Sequence, residues 1–199
     1  MTDTKGAAPG GAGAESQGAN RKGAKDQLVM EDFVSISYRE PLTPNLERFA
    51  DGLLAGKLIG QKCPACGRVY VPGKGYCPLD VVEMGPDDEI EVSDTGTVTG
   101  FTIITPIRYY GQKETEPFVH ASVLLDGADN ALGGQDITGI PHEEIRAGLR
   151  VRAVWQPPAE RSVEGLSNRG WGGVAGVISS FEPTGEPDAD PEQFQEHIF

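Results

Sequence analysis

The chain has 199 residues, 38% hydrophobic and 24% charged, enough apolar content for a modest core in one or two domains. Seventeen Lys and Arg stand against thirty Asp and Glu, a formal charge of −13, which argues against nucleic acid or an anionic membrane surface as the main partner. No run of about 18 apolar residues offers a transmembrane helix. Residues 1–20 lack an apolar h-region, and three Cys do not make a disulfide scaffold, so a reducing, cytoplasmic setting is expected.

Residues 1–30 are rich in Gly and Ala and hold almost nothing large to bury, so they are expected to be a disordered tail. Residues 31–86 are expected to form a helix followed by a cysteine ribbon. Thr43 suits an N-cap and Pro44 the first helical position. Leu46, Phe49, Ala50, Leu53 and Leu54 then recur at three- and four-residue steps as an apolar stripe. Gly56 is placed to close the helix in the left-handed conformation. A small ribbon cannot use the whole stripe. Two destinations stand open for Leu46, Phe49 and Leu53: a partner interface, or the chain's own barrel.

The densest signal follows. Cys63-Pro-Ala-Cys66-Gly-Arg precedes Cys77-Pro-Leu-Asp80, so all three Cys fall within fifteen residues as C-x2-C-x10-C-x2-D. Two such knuckles place four ligands tetrahedrally around zinc. The fourth position holds Asp80 in place of a thiolate. A carboxylate also ligates zinc, but makes the site harder and weaker. The expected ligand set is Cys63, Cys66, Cys77 and Asp80 around a structural Zn2+. A ribbon that folds without metal and a redox C-x-x-C are the competing readings.

From residue 87 to 182 the pattern turns to period two. Expected strands are 89–94, 97–109, 118–126, 131–140, 149–156 and 174–181, with a short helical turn over 141–147. This is a small barrel or sandwich, and an OB-type barrel fits. Two of its loops stand out. One carries Arg108, Tyr109 and Lys113, suited to phosphate and base stacking; an ordinary solvated hairpin is the alternative. The other, 157–173, carries Trp171, either a partner anchor or a lid on the barrel core. Residues 183–199 hold five acids and no Lys or Arg, punctuated by three Pro. They are expected to be an extended acidic tail. Its Phe194, Ile198 and Phe199 suggest a docking peptide; a frayed end is the alternative.

No G-x-S-x-G, H-E-x-x-H, P-loop or strand-borne G-x-G-x-x-G occurs. His120, His142 and His197 stand far apart. No catalytic residue is therefore assigned.

The stretch from Leu53 through Lys57-Leu-Ile-Gly-Gln-Lys-Cys63-Pro-Ala-Cys66-Gly, with Val71-Pro72, Cys77-Pro78 and a following barrel segment 136–151, resembles one family. It is the acyl-CoA-associated OB-fold family with an N-terminal rubredoxin-like zinc ribbon (domain of unknown function 35). The resemblance covers about residues 40–182; Asp80 departs from the family's usual Cys. It implies a mainly β fold, with N-terminal helix, zinc ribbon and OB-type barrel. It implies a non-catalytic small subunit paired with a thiolase-fold enzyme acting on acyl-CoA thioesters, as two large and two small subunits. The partner would supply the catalytic residues. CoA would lie at a shared site reached by Arg108, Tyr109 and Lys113. Leu46, Phe49, Leu53, Trp171, Phe194 and Phe199 are the expected interface residues. An independent acyl-CoA-binding or acyl-transfer protein and a nucleic-acid-binding zinc-ribbon/OB module are the alternatives.

Overall fold

The computed structural model describes residues 41–105, 115–163 and 176–197. The expected tail 1–30, the loop residues Arg108, Tyr109 and Lys113, Trp171, and Ile198 with Phe199 lie outside the described residues.

Helix α1 runs Pro44–Leu54, with the Thr43 hydroxyl oxygen accepting from the Leu46 N–H at 3.5 Å. Its C-terminus closes by two reversed hydrogen bonds, Gly56 N–H to Leu53 O at 2.9 Å and Lys57 N–H to Gly52 O at 2.8 Å. Gly56 supplies the positive φ of 81° that this motif requires. The Arg161 guanidinium then donates to the Leu54 carbonyl at 3.1 Å and lies 5.3 Å from the Trp155 ring centroid. A cation thus meets the negative end of the helix and ties it to the barrel.

Two sheets follow. The first has the order β2-β1-β3, from β1 (Leu58–Lys62), β2 (Val69–Tyr70) and β3 (Glu89–Val92). The second has the order β6-β5-β4-β7-β8, all antiparallel. Its strands are β4 (Thr95–Ile104), β5 (Phe118–Leu125), β6 (Ala131–Asp136), β7 (Arg150–Trp155) and β8 (Ile178–Pro183). Just past β6, Ile137 bridges Phe181 of β8 in parallel, and the Thr138 N–H donates to Phe181 O at 2.9 Å. That contact brings the two ends of the sheet together as an OB-type barrel. The expected helical turn is a short 3-10 turn, His142–Glu144. The segment expected as the first barrel strand, 89–94, instead gives β3, which pairs with β1 from Leu58↔Val92 to Gln61↔Glu89. Strand pairing therefore crosses the expected boundary at 86/87.

One core joins these parts. Phe49 and Leu53 of α1, Leu58, Val69, Val71 and Val92 of the ribbon sheet, and Val98, Val123, Leu125, Val151 and Phe181 of the barrel form a single buried cluster. The β5–β6 turn reinforces the junction. Asp129 accepts from the Val69 N–H, and Asn130 both accepts from the Val71 N–H at 2.7 Å and donates to the Val71 carbonyl at 2.8 Å. These side chains satisfy the free edge of β2, which would otherwise expose unpaired backbone groups.

The core corrects two expectations. Phe49 is 4% exposed and Leu53 is fully buried, so the centre of the stripe is spent on the chain's own core and neither residue is open to a partner, while Leu54 stays exposed. Leu46 at the edge of the helix is half-buried. The C-terminal segment is not a free peptide either. Arg146 holds Asp188 in a bidentate pair, donating from Nε and Nη2, and the Ala189 N–H donates to Gly148 O at 2.8 Å. Phe194 is 4% exposed, with its ring over Gly148, where a Cβ would stand 3.4 Å from the ring. The burial of Phe194 takes it out of the partner surface.

Candidate metal centre

The ribbon builds the same loop twice. In the first knuckle the Cys63 N–H donates to Arg68 O at 2.7 Å and the Gly67 N–H to Cys63 O at 2.9 Å. In the second, the Cys77 N–H donates to Val82 O at 2.8 Å and the Val81 N–H to Cys77 O at 2.9 Å. Each loop turns backbone N–H groups toward sulfur. Ala65 and Cys66 donate to Cys63 Sγ at 3.3 and 3.4 Å, and Asp80 donates to Cys77 Sγ at 3.5 Å. At Cys77 such a bond favours the thiolate form that a metal needs.

Gln61 on β1 holds the two knuckles together from beneath. Its buried amide donates to the Met84 and Gly85 carbonyls and accepts from the Gly75 N–H at 2.8 Å. Gly73 leaves room for this side chain, since a Cβ there would fall 2.6 Å from Gln61 Cγ. Cys63, Tyr70, Cys77 and Met84 form a small second core under the site.

The ligand atoms of Cys63, Cys66, Cys77 and Asp80 all lie within 4.8 Å of one another. Cys66 Sγ and Cys77 Sγ are 3.7 Å apart, and Asp80 Oδ2 stands 3.5 Å from Cys63 Sγ and 3.3 Å from Cys77 Sγ. A zinc tetrahedron with Zn–S near 2.3 Å and Zn–O near 2.0–2.2 Å has S···S edges of about 3.8 Å and S···O edges of about 3.5 Å. The four groups therefore fit the metal in number, chemistry and spacing. A disulfide needs about 2.05 Å, and the sulfurs lie far outside that. The structure brings all four expected ligands together, and no His completes the group among the described residues.

Protons and metal compete for these atoms. The Asp80 carboxylate beside Cys66, together with burial and the neighbouring sulfurs, pushes the Cys66 thiol up to about 12. Cys66 in turn holds the Asp80 carboxyl below the usual carboxylate value. Burial raises Cys77, but the Asp80 and Leu79 backbone N–H groups and the Tyr70 hydroxyl outweigh it, and that thiol is lowered. Tyr70 is pushed up to about 12, chiefly by its contact with Cys77. A divalent cation that displaces the thiol protons would be met by three sulfurs and one carboxylate at a single point.

Asp80 tests the ligand set. Asp80→Cys is expected to tighten zinc by roughly tenfold or more, because a fourth thiolate suits a soft site better. Competition with a chromophoric chelator reads the change. Equal affinities for the two proteins would remove Asp80 from the set.

Sequence reasoning missed one feature of the second knuckle. Val81 occupies the position that Gly67 holds in the first, at φ 57° against 76°. The left-handed region costs a residue with a side chain about 1–2 kcal/mol, and a β-branched one is an outlier there. The two C-x2-C-like loops align position by position, so the residue after the fourth ligand was the one to inspect.

The other singled-out residues lie elsewhere. The segment with Arg108, Tyr109 and Lys113 links β4 to β5, and the segment with Trp171 links β7 to β8. In an OB-fold these are the connections between strands one and two and between strands four and five, which carry ligand contacts. A depression of about 640 Å³ lies beside Arg150 and is lined by Asp126, Glu186, Asp188 and Asp190. Arg150 is committed there to Asp126, at 2.6 and 2.7 Å, so the depression presents carboxylates and repels a phosphate-bearing ligand.

Family models match two stretches. One described as ChsH2, rubredoxin-like zinc ribbon domain, covers residues 50–79. One described as ChsH2, C-terminal OB-fold domain, covers residues 89–156. A curated relative from Methanocaldococcus jannaschii, named a DUF35 domain-containing scaffold protein, is 27% identical over 114 residues, 57% of this chain and 78% of the relative. A solved chain described as Ltp2-ChsH2(DUF35) aldolase has a TM-score of 0.50 at 19% identity, over 73% of this chain and 98% of that chain, a likeness of fold. A DUF35-family protein of unknown function from Sulfolobus solfataricus has a TM-score of 0.46 at 26% identity, over 56% of this chain and 78% of that one.

Proposed function

With a ChsH2-type rubredoxin-like zinc ribbon joined to a ChsH2-type OB-fold domain, the chain is a member of the DUF35 family, and from that premise we propose that it is a zinc-binding accessory subunit of a thiolase-fold enzyme acting on acyl-CoA thioesters. The observation that carries the reading is the ribbon–barrel pair itself. Both domain models are described by ChsH2, a solved chain of similar fold is described as Ltp2-ChsH2(DUF35) aldolase, and a relative is named a DUF35 domain-containing scaffold protein. The partner supplies the nucleophile and base. This chain's three Cys sit in one metal-type cluster, and its strands present no comparable constellation among the described residues. The zinc is structural and is held by Cys63, Cys66, Cys77 and Asp80. The β4–β5 connection, with Arg108, Tyr109 and Lys113, reaches CoA at a site shared with the partner. The acid-lined depression beside Arg150 speaks against an independent CoA site at that place.

A tagged full-length chain, recovered from its own cell at moderate salt, tests this. Mass spectrometry is expected to find a thiolase-fold protein at about one to one, and the isolated chain is expected to leave CoA thioesters intact. Recovery of the chain alone, with turnover of a CoA thioester by it, would replace the accessory role with an independent acyl-transfer one.

A further inference from the structure

The second knuckle carries an apolar surface that the chain itself does not use. Tyr76, Leu79 and Val81 are 56%, 62% and 80% exposed, the three most exposed of the large hydrophobic residues described. They fall within six residues, on a loop pinned by the Cys77–Val81 and Cys77–Val82 backbone bonds. Val81 adds a second observation. It holds a left-handed backbone that glycine adopts freely, as Gly67 does at the matching place, yet its side chain buries almost nothing. The chain thus carries strain for a side chain with no intramolecular use. Strain of this kind collects where a surface is kept ready for a ligand or partner.

Charge selects the occupant. Residues 74–88 contain Lys74 against Asp80, Glu83, Asp87 and Asp88. Two copies meeting tip to tip would set these acids against each other, on chains of charge −13. An apolar recess rimmed by Lys and Arg matches the tip in both respects.

We infer that Tyr76, Leu79 and Val81 form a preformed knob that inserts into a basic-rimmed apolar recess on the catalytic partner subunit. The inference rests on the accessory role above and names its contact surface. A small rigid apolar cluster seated in a pocket is the usual form of an interface hot spot. The metal centre beneath holds the loop in its bound shape, so little order is gained on docking.

The test uses the full chain and the purified thiolase-fold partner, with Leu79→Asp and Val81→Gly. Each variant is expected to lose at least tenfold in affinity while keeping the zinc content of the wild type. Val81→Gly is also expected to melt higher than the wild type, because the glycine removes the strain. A surface residue that stabilises the free chain when deleted and weakens the complex has no purely structural explanation. Wild-type affinity in both variants, with the complex intact, overturns the knob and leaves the accessory role standing. A concentration-dependent dimer of the free chain that Leu79→Asp abolishes assigns the knob to a second copy and also overturns the inference. Failure of any thiolase-fold protein to bind the wild type removes the accessory role and the knob with it.

Discussion

Withdrawal of zinc is expected to unfold the two knuckles. Structural zinc in such modules contributes about 10–16 kcal/mol of folding free energy at neutral pH, as much as a whole domain's net stability. The knuckle region has little to set against that loss. Its own core is only Cys63, Tyr70, Cys77 and Met84, and two of those four belong to the candidate ligand set. The helix and barrel bury their apolar side chains in the separate, larger cluster. Chelation should therefore strip hydrogen-exchange protection from the amides of Cys63, Gly67, Cys77 and Val81. The amides of Val123 and Val151 in the barrel should keep theirs. Protected knuckle amides in protein holding under about a tenth of an equivalent of zinc would establish a ribbon that folds without metal.

Phe194→Ala is expected to destabilise the chain itself by about 3 kcal/mol, the scale of removing a buried aromatic ring. The ring packs on Gly148, and the backbone on either side is held by the Arg146–Asp188 pair and the Ala189–Gly148 hydrogen bond. Urea denaturation should show a lower midpoint with an unchanged slope. An unchanged midpoint with weakened partner binding would restore the tail to the role of a docking peptide.

Local signals were legible where the determinants lie close in the chain. Thr43, Pro44 and Gly56 fix the ends of α1 through capping chemistry that needs only neighbours. Period-two runs located every barrel strand, and the C-x2-C-x10-C-x2-D spacing picked out the four residues whose side chains gather at one point. Destinations were not legible. The stripe through Phe49 and Leu53 was plain, but a helical period does not say which surface covers it. Phe194 finds its seat at Gly148, a glycine at φ 92° far away in sequence, and three Pro hide any periodicity in the segment that carries it. The run at 89–94 had the right period, but its partner is β1, before the knuckles. Val81 was invisible for a different reason: residue type predicts its backbone wrongly, and only the parallel with Gly67 reveals it.

The clasp of Asp129 and Asn130 on the edge of β2 has a mechanical meaning. Helix, ribbon sheet and barrel are not beads on a string, because hydrogen bonds and a common interior join them. Such a body behaves as a bracket: a grip on one arm sets the bearing of the other. A partner that seizes the ribbon arm would by that act also set the bearing of β4, β5, β7 and β8. Cutting the chain near residue 93 to free either arm would expose a raw interior on both fragments, and neither should survive alone.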